Sequence, residues 1–276
     1  MSQQALLKPA NRTEISEPVL ITTDERGVAT VTINRRERHN AFDNHLIGQL
    51  TDCFNQFAKN ADVRVIVLTG SGKSFSSGAD LEWMRSMANY TRQENREDAT
   101  RLAGMMAALA AIPQPTVARI NGAAFGGGVG LVCCCDLAIA SSRAKFALTE
   151  VRLGLAPAVI SPYVIAAIGV RQCQRYFQTG EIINADQAVW LGLVHEAVEH
   201  EYLDSAVERH LRLLLKGGPN AQSAIKRLIE EAKREKSAVS MSGYTAELIA
   251  ELRVSPEGQE GVSAFLEKRE PAFQWK

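Results

Sequence analysis

Apolar and polar positions change period several times along this chain, and each change predicts an element. Residues 19–23 and 28–34 are runs rich in Val, Ile and Thr on either side of Asp24-Glu-Arg-Gly27, which predicts a hairpin. Over 43–59, Leu46, Ile47, Leu50, Phe54 and Phe57 recur at helical spacing, and Asp43 stands where an N-cap belongs. Residues 63–69 form an unbroken apolar strand, bounded by Gly70-Ser-Gly72 and followed by a polar loop over 73–80. A helix is predicted over 81–112 with an interruption near Asn89-Tyr90, and Pro113 and Pro115 end it. Strands follow at 116–120 and 137–140, flanking a glycine-rich helix. After Pro157 the helical period dominates, with segments at 161–168, 170–179, 185–191, 202–215, 221–236, 246–253 and 256–268.

Strands and helices thus alternate to about residue 150 and helices follow, which predicts an α/β core with a helical C-terminal region. The expected organisation is a loose N-terminal arm over 1–17, a core over 18–200 and the helical region over 201–276.

Composition narrows the classes of partner. With 46% hydrophobic and 22% charged residues, the 276-residue chain has the make-up of a soluble globular protein. Basic and acidic residues number 31 each, so no global field steers the chain toward nucleic acid or an acidic membrane surface. The apolar runs are shorter than a membrane span and the N-terminus has no signal-peptide core, so a cytoplasmic protein is expected. Lys226, Arg227, Lys233, Arg234 and Lys236 are interleaved with Glu230 and Glu231, the pattern of a solvated helix face rather than an RNA-binding stripe. The five cysteines include no C-x-x-C pair. Cys133, Cys134 and Cys135 point in different directions on any helix or strand, which predicts small buried thiols and no metal cage.

The richest chemistry lies in Asn121-Gly-Ala-Ala-Phe-Gly-Gly-Gly-Val-Gly130. Three consecutive glycines at a helix start expose backbone N–H groups that suit either a fixed phosphate or a carbonyl oxygen gaining charge. Two phosphate motifs fail on spacing. Gly126, Gly127, Gly128 and Gly130 miss G-x-G-x-x-G because position 131 is Leu. Gly70-Ser-Gly-Lys-Ser74 lacks the first glycine of a P-loop, its place being taken by Val67. A second loop, Ser77-Gly78-Ala79-Asp80, also follows a strand and precedes a helix. N–H groups from the two loops can converge on one oxygen, as an oxyanion hole requires; two tight βα turns are the alternative. Glu150 lies in the mainly apolar stretch from Phe146 to Pro157. Its carboxylate is either raised in pKa, as a general acid at neutral pH needs, or spent on an ion pair with Arg152 or on a helix start.

Jointly and in this order, these segments resemble those of the enoyl-CoA hydratase/isomerase (crotonase) superfamily. The resemblance covers nearly the whole chain. It is carried by Asn34-Arg-Arg-Glu-Arg-His-Asn40-Ala41, Phe75-Ser-Ser-Gly-Ala-Asp80-Leu81, the 121–128 loop and Cys135-Asp136-Leu-Ala-Ile-Ala140. It continues through Glu150-Val-Arg-Leu-Gly154-Leu-Ala-Pro157 and Glu260-Gly-Val-Ser-Ala-Phe-Leu-Glu-Lys-Arg269. The resemblance implies a spiral of ββα units with C-terminal helices used for trimerisation, as a homotrimer or a dimer of trimers. It implies an acyl-CoA thioester substrate, with coenzyme A part of the substrate and no separate cofactor or metal. Neither a nucleic acid nor a membrane is an expected partner.

Carried over by position, the resemblance makes Ala79 and Gly127 the oxyanion-hole donors and Glu150 the catalytic acid–base. Arg38, Asn40, Ala41, Ser77 and Gly78 would border the adenine–pantetheine channel. Asp80, Leu81, Trp83, Gly126, Gly128, Gly130 and Pro157 would surround the substrate. Lys268 is a candidate for the CoA phosphates across a subunit boundary, or a solvated lysine. One departure stands out: straight-chain hydratases of this kind carry two glutamates, and Gly130 stands where the first is expected. The text from Glu150 to Tyr163 and the Trp83-Met84 pair are similar to the methylglutaconyl-CoA and isohexenylglutaconyl-CoA hydratases. Arg85, Arg92 and Arg152 are candidates for a distal carboxylate on such a substrate. The expected function is hydration of a branched, α,β-unsaturated acyl-CoA. A single-glutamate isomerase and a non-catalytic acyl-CoA binder are the alternatives.

Overall fold

A computed structural model describes residues 17–234 and 237–275. The expected N-terminal arm, apart from Glu17, and Lys236 lie outside the described residues. β1 (Val19–Thr23) and β2 (Val28–Ile33) form the predicted hairpin. Its turn is held by Asp24, whose carboxylate accepts from the backbone N–H groups of Arg26 and Val28. α1 (Asn44–Phe57) begins at Asp43, which accepts from the Leu46 N–H at 2.8 Å. The interruption near residue 90 is a helix boundary. α2 (Leu81–Met87) ends there, and α3 (Arg92–Ala110) starts afresh from a Thr91–Glu94 capping box.

Two sheets share the molecule. The larger adds β3 (Val65–Gly70), β5 (Thr116–Ile120), β7 (Leu137–Ser141) and β10 (Glu196–Val198) to the hairpin, in the order β1-β2-β3-β5-β7-β10. Only the β1–β2 pairing in it is antiparallel. β3 is buried at every position because both its faces are covered. Ile66 and Leu68 join the main core with α1 and α3, whereas Val65 and Val67 meet α7 (Leu203–Leu214) through Leu203, Val207 and Leu211. The first helix of the C-terminal region is therefore packed on the sheet.

The smaller sheet corrects the sequence reading. The polar loop 73–80 contains β4 (Ser74–Ser76), which pairs with β6 (Ala123–Phe125), β8 (Lys145–Ala147) and β9 (Ile183–Asn184) in that order. β9 and β10 also interrupt the region read as helical after Pro157. Strands of two or three residues are too short to show alternation, and their partners are distant in sequence. The chain repeatedly runs from a long strand to a short one to a helix: β3–β4–α2, β5–β6–α4 (Gly127–Cys134) and β7–β8 followed by a 3-10 turn and α5 (Ser161–Thr179). This is the ββα spiral, and it brings the ends of β4, β6 and β8 side by side. α5 kinks at Gly169, where 161–168 and 170–179 were expected to divide. α9 (Ala238–Val254) is longer than the 246–253 expected; with α10 (Pro256–Leu266) it leaves Val254, Phe265 and Leu266 exposed.

Candidate functional site

The first loop of the site is locked from below. Asn40 is fully buried and adopts a positive φ of 58°. Its amide donates to the Ser71 and Ser74 carbonyls at 2.9 and 2.7 Å and accepts from the Arg35 N–H at 3.0 Å. The Ser76 hydroxyl donates to the Asn40 carbonyl at 2.9 Å. The Phe42 N–H donates to the Gly78 carbonyl at 2.7 Å, and the Asp80 N–H donates to the Phe42 carbonyl at 2.8 Å. This leaves Ala79 between two bonded neighbours, exposed, its own N–H with no acceptor among the described residues. The Asn40 side chain is thus committed to holding loops together and is not free for a ligand.

Asp80 ties this loop to α2. Its buried carboxylate accepts from the Glu82 N–H at 2.8 Å and pairs with Arg35 and Arg38 at 3.0 and 3.3 Å. Burial alone would push its pKa up; the Glu82 N–H and the two guanidinium charges outweigh that and hold it below the ordinary value. Arg35 also pairs with Asp43 at 2.9 Å and donates to the Ala41 carbonyl.

The second loop touches the first. Gly78 has φ 85°, and a Cβ there would lie 2.8 Å from the Phe125 carbonyl oxygen and 3.6 Å from the Gly127 nitrogen. Only glycine fits both the conformation and the space. A Cβ on Gly127 would strike the Phe42 ring at 2.6 Å, and one on Gly128 the Ser76 carbonyl at 2.5 Å. The glycine run therefore serves close packing as well as access. Gly127 opens α4, and its N–H, like that of Ala79, has no acceptor among the described residues. Two free donors on adjoining loops, at a helix N-terminus, can hold an oxygen that gains negative charge.

Glu150 starts the 3-10 turn Glu150–Leu153 and reaches the second loop. Its Oε1 would lie 3.0 Å from a Cβ on Gly126. Its Oε2 is buried with no hydrogen-bond partner among the described residues, and burial raises its pKa. Arg152 is exposed and forms no ion pair with it, so the structure does not bear out that alternative. The side of Gly130 is closed. A Cβ there would overlap Ile160 Cγ2 outright and would lie 3.0 Å from Ile160 Cβ and 3.1 Å from Met106 Cε.

The remaining sequence candidates divide. Ala41, Ser77, Asp80, Gly126, Gly128 and Glu150 come together around the two loops. Trp83 lies one turn into α2, buried, its indole N–H without a partner among the described residues. Leu81 is exposed and Pro157 is buried. Lys268 follows α10, exposed, and the hydrogen bonds and ion pairs of the site do not include it. Arg85, Arg92 and Arg152 are exposed and carry no ion pair among the described residues. The sequence reading missed Arg35, Ser76, Met106 and Ile160, whose roles depend on contacts between distant segments.

Other expectations resolve outside the site. Burial raises the Cys53 and Cys135 thiols to about 12 and pushes Cys133 and Cys134 up as well, which makes them inert. Lys226 is paired with Asp136 at 2.8 Å and Lys233 with Glu230 at 2.6 Å, so two of the basic residues of α8 (Pro219–Arg234) are matched by carboxylates. No described helix is long and apolar enough to cross a membrane. A surface depression of about 1210 Å³ is lined by Asp24, Arg26, Glu208 and Trp275 among others and shares no residue with the two loops. Asp24, Arg26, Glu208 and Arg212 in it are already paired with one another.

Comparison with known proteins agrees with this geometry. Residues 23–276 match the family model described as enoyl-CoA hydratase/isomerase. A crystal structure of a putative enoyl-CoA hydratase/isomerase (crotonase) from Legionella pneumophila is 43% identical and superposes with a TM-score of 0.87, covering 93% of this chain and 98% of that one. An enoyl-CoA hydratase from Shewanella pealeana is 41% identical with a TM-score of 0.90, covering 94% and 96%. The 2,3-dehydroadipyl-CoA hydratase of Escherichia coli is 30% identical over 92% of this chain and 98% of its own length. The chain is a hydro-lyase-type enzyme of the enoyl-CoA hydratase/isomerase family, and its substrate is an acyl-CoA thioester.

Proposed function

We propose that this enzyme adds water to a β-branched enoyl-CoA of the glutaconyl type, such as 3-methylglutaconyl-CoA or isohexenylglutaconyl-CoA, using one carboxylate. The observation that carries this reading is Glu150: half-buried, unpaired, raised in pKa and set against Gly126 beside two free N–H groups. The thioester oxygen accepts from the Ala79 and Gly127 N–H groups. Ionised Glu150 takes a proton from water as the oxygen bonds to the β-carbon. The double-bond electrons move to form the enolate, whose oxygen the two N–H groups hold. Glu150 then returns its proton to the α-carbon and the thioester re-forms. One carboxylate thereby serves as base and acid in turn, and no metal or redox cofactor enters the reaction.

The branched, carboxylated substrate class is supported by the sequence similarity around Glu150 and Trp83; a distal carboxylate, though not the branch, is also in keeping with a relative named for the hydration of 2,3-dehydroadipyl-CoA. Arg38, partly exposed at the mouth of the first loop, suits a CoA phosphate. The exposed Val254, Phe265 and Leu266 suit a trimer interface, which would also bring Lys268 near a neighbouring subunit's ligand. The test is incubation with 3-methylglutaconyl-CoA and with crotonyl-CoA in ¹⁸O-water, read by mass spectrometry. Labelled hydrate from the branched substrate is expected. A shifted double bond with no label would replace hydration with isomerisation.

A further inference from the structure

The flank of α4 beside Glu150 carries a second feature. Gly126 and Gly130 are joined by the Gly130 N–H to Gly126 carbonyl hydrogen bond at 3.2 Å, so they stand one turn apart, about 6 Å along the helix. The Glu150 carboxylate rests at Gly126; the side chain of Ile160 rests at Gly130, backed by the methyl end of Met106. Met106 is itself fixed in the core, its sulfur 3.9 Å from the Cys134 thiol. Ile160 is almost completely buried and comes ten residues after Glu150, on the segment that leads into α5. The ground next to the Glu150 carboxylate is therefore hydrocarbon, and no side chain on Gly130 can reach across it.

We infer that Ile160, backed by Met106, is a specificity-determining residue: it gives the reacting carbons an apolar wall that favours an alkyl branch on the β-carbon over a straight chain. The inference rests on the hydratase reading above and names the feature of the chain that selects the acyl group. A branch gains contact with the wall, and a hydrogen in its place leaves that wall unfilled. Losing contact of methylene size in an apolar pocket changes discrimination by about 10–200-fold.

The test measures kcat/KM for 3-methylglutaconyl-CoA and crotonyl-CoA in wild type, Ile160→Val, Ile160→Ala and the double variant Gly130→Glu/Ile160→Ala. Circular dichroism melting establishes which variants are folded. The branched-to-straight ratio is expected to fall in Ile160→Val and to fall about 10-fold or more in Ile160→Ala. It should fall furthest in the double variant, where a carboxylate replaces the wall. Ile160→Val, a single-methyl change, keeps the test decisive if the larger changes do not fold. A ratio unchanged in every folded variant, with wild type still active, overturns the inference and leaves the hydratase reading standing. A wild type that hydrates neither substrate overturns both.

Discussion

Glu150 stands against Gly126, where a Cβ would lie only 3.0 Å from Glu150 Oε1. The carboxylate thus rests on bare backbone at the start of α4, with its other oxygen buried and unpartnered among the described residues. Burial opposes its charge while a hydrogen bond from its own backbone N–H favours it, and burial prevails. A structural carboxylate would sit where its charge is matched. On the proposed hydratase reading, this one is held in readiness for a ligand, at a cost in stability.

That cost has a sign and a pH dependence. The native pKa of Glu150 is raised above its ordinary 4.5, so the native state holds the proton more tightly than the unfolded chain. Its stabilising contribution is present below about 4.5 and is lost as pH rises through the raised native value. Glu150→Gln should therefore melt at a higher temperature than wild type at pH 7, with the gap closing toward pH 4. Calorimetry across that range checks it; a lower melting temperature at pH 7 contradicts the account.

The same shift governs rate. Water addition needs ionised Glu150, so kcat/KM should fall as pH drops through a midpoint above 4.5. Glu150→Asp should keep an acid limb, and Glu150→Gln should lose it. A pH–rate profile from 4 to 9 on the thermally intact enzyme tests this.

Gly78→Ala should damage chemistry more than binding. The new methyl group would press on the Phe125 carbonyl, 2.8 Å away, and would strain a backbone held at φ 85°. The two donor loops would move apart, and losing one oxyanion donor costs about 10²–10³ in kcat. Steady-state kinetics with a CoA-binding titration separates the two effects.

Arg35→Ala should act from beneath the site. It removes one of the two guanidinium partners of Asp80, the partner of Asp43 and the donor to the Ala41 carbonyl. Leaving buried Asp80 with Arg38 as its remaining cation should destabilise by about 1.5–3 kcal/mol, read by urea unfolding. Because the native pKa of Asp80 is lowered, its pairing contributes stability above about 3.8 and loses it as pH falls below that value. Wild type should lose this increment in acid, and the Asp80→Asn variant should not.

Local signals carried much of the fold. The hairpin, the Asp43 cap and the break near Tyr90 each depend on a few adjacent residues, and each stands where the pattern predicts it. The short sheet was illegible because Ser74 pairs with Ala123, and Phe146 with Ile183, across tens of residues. At the site, the glycine loops and Glu150 were visible as residue types in context. Asn40 shows the limit: the same polar residue reads as a ligand contact in sequence and turns inward in the fold. Gly130 shows it again, since a missing side chain says nothing of what fills its place, here Ile160 from thirty residues away.

The most direct test of the central claim is single-turnover hydration of 3-methylglutaconyl-CoA in ¹⁸O-water by wild type and by Glu150→Gln. Wild type should yield labelled hydrate, and the variant should bind substrate yet turn it over about 10²–10⁴-fold more slowly. Equal rates in the two proteins, or no label from wild type, would contradict the account.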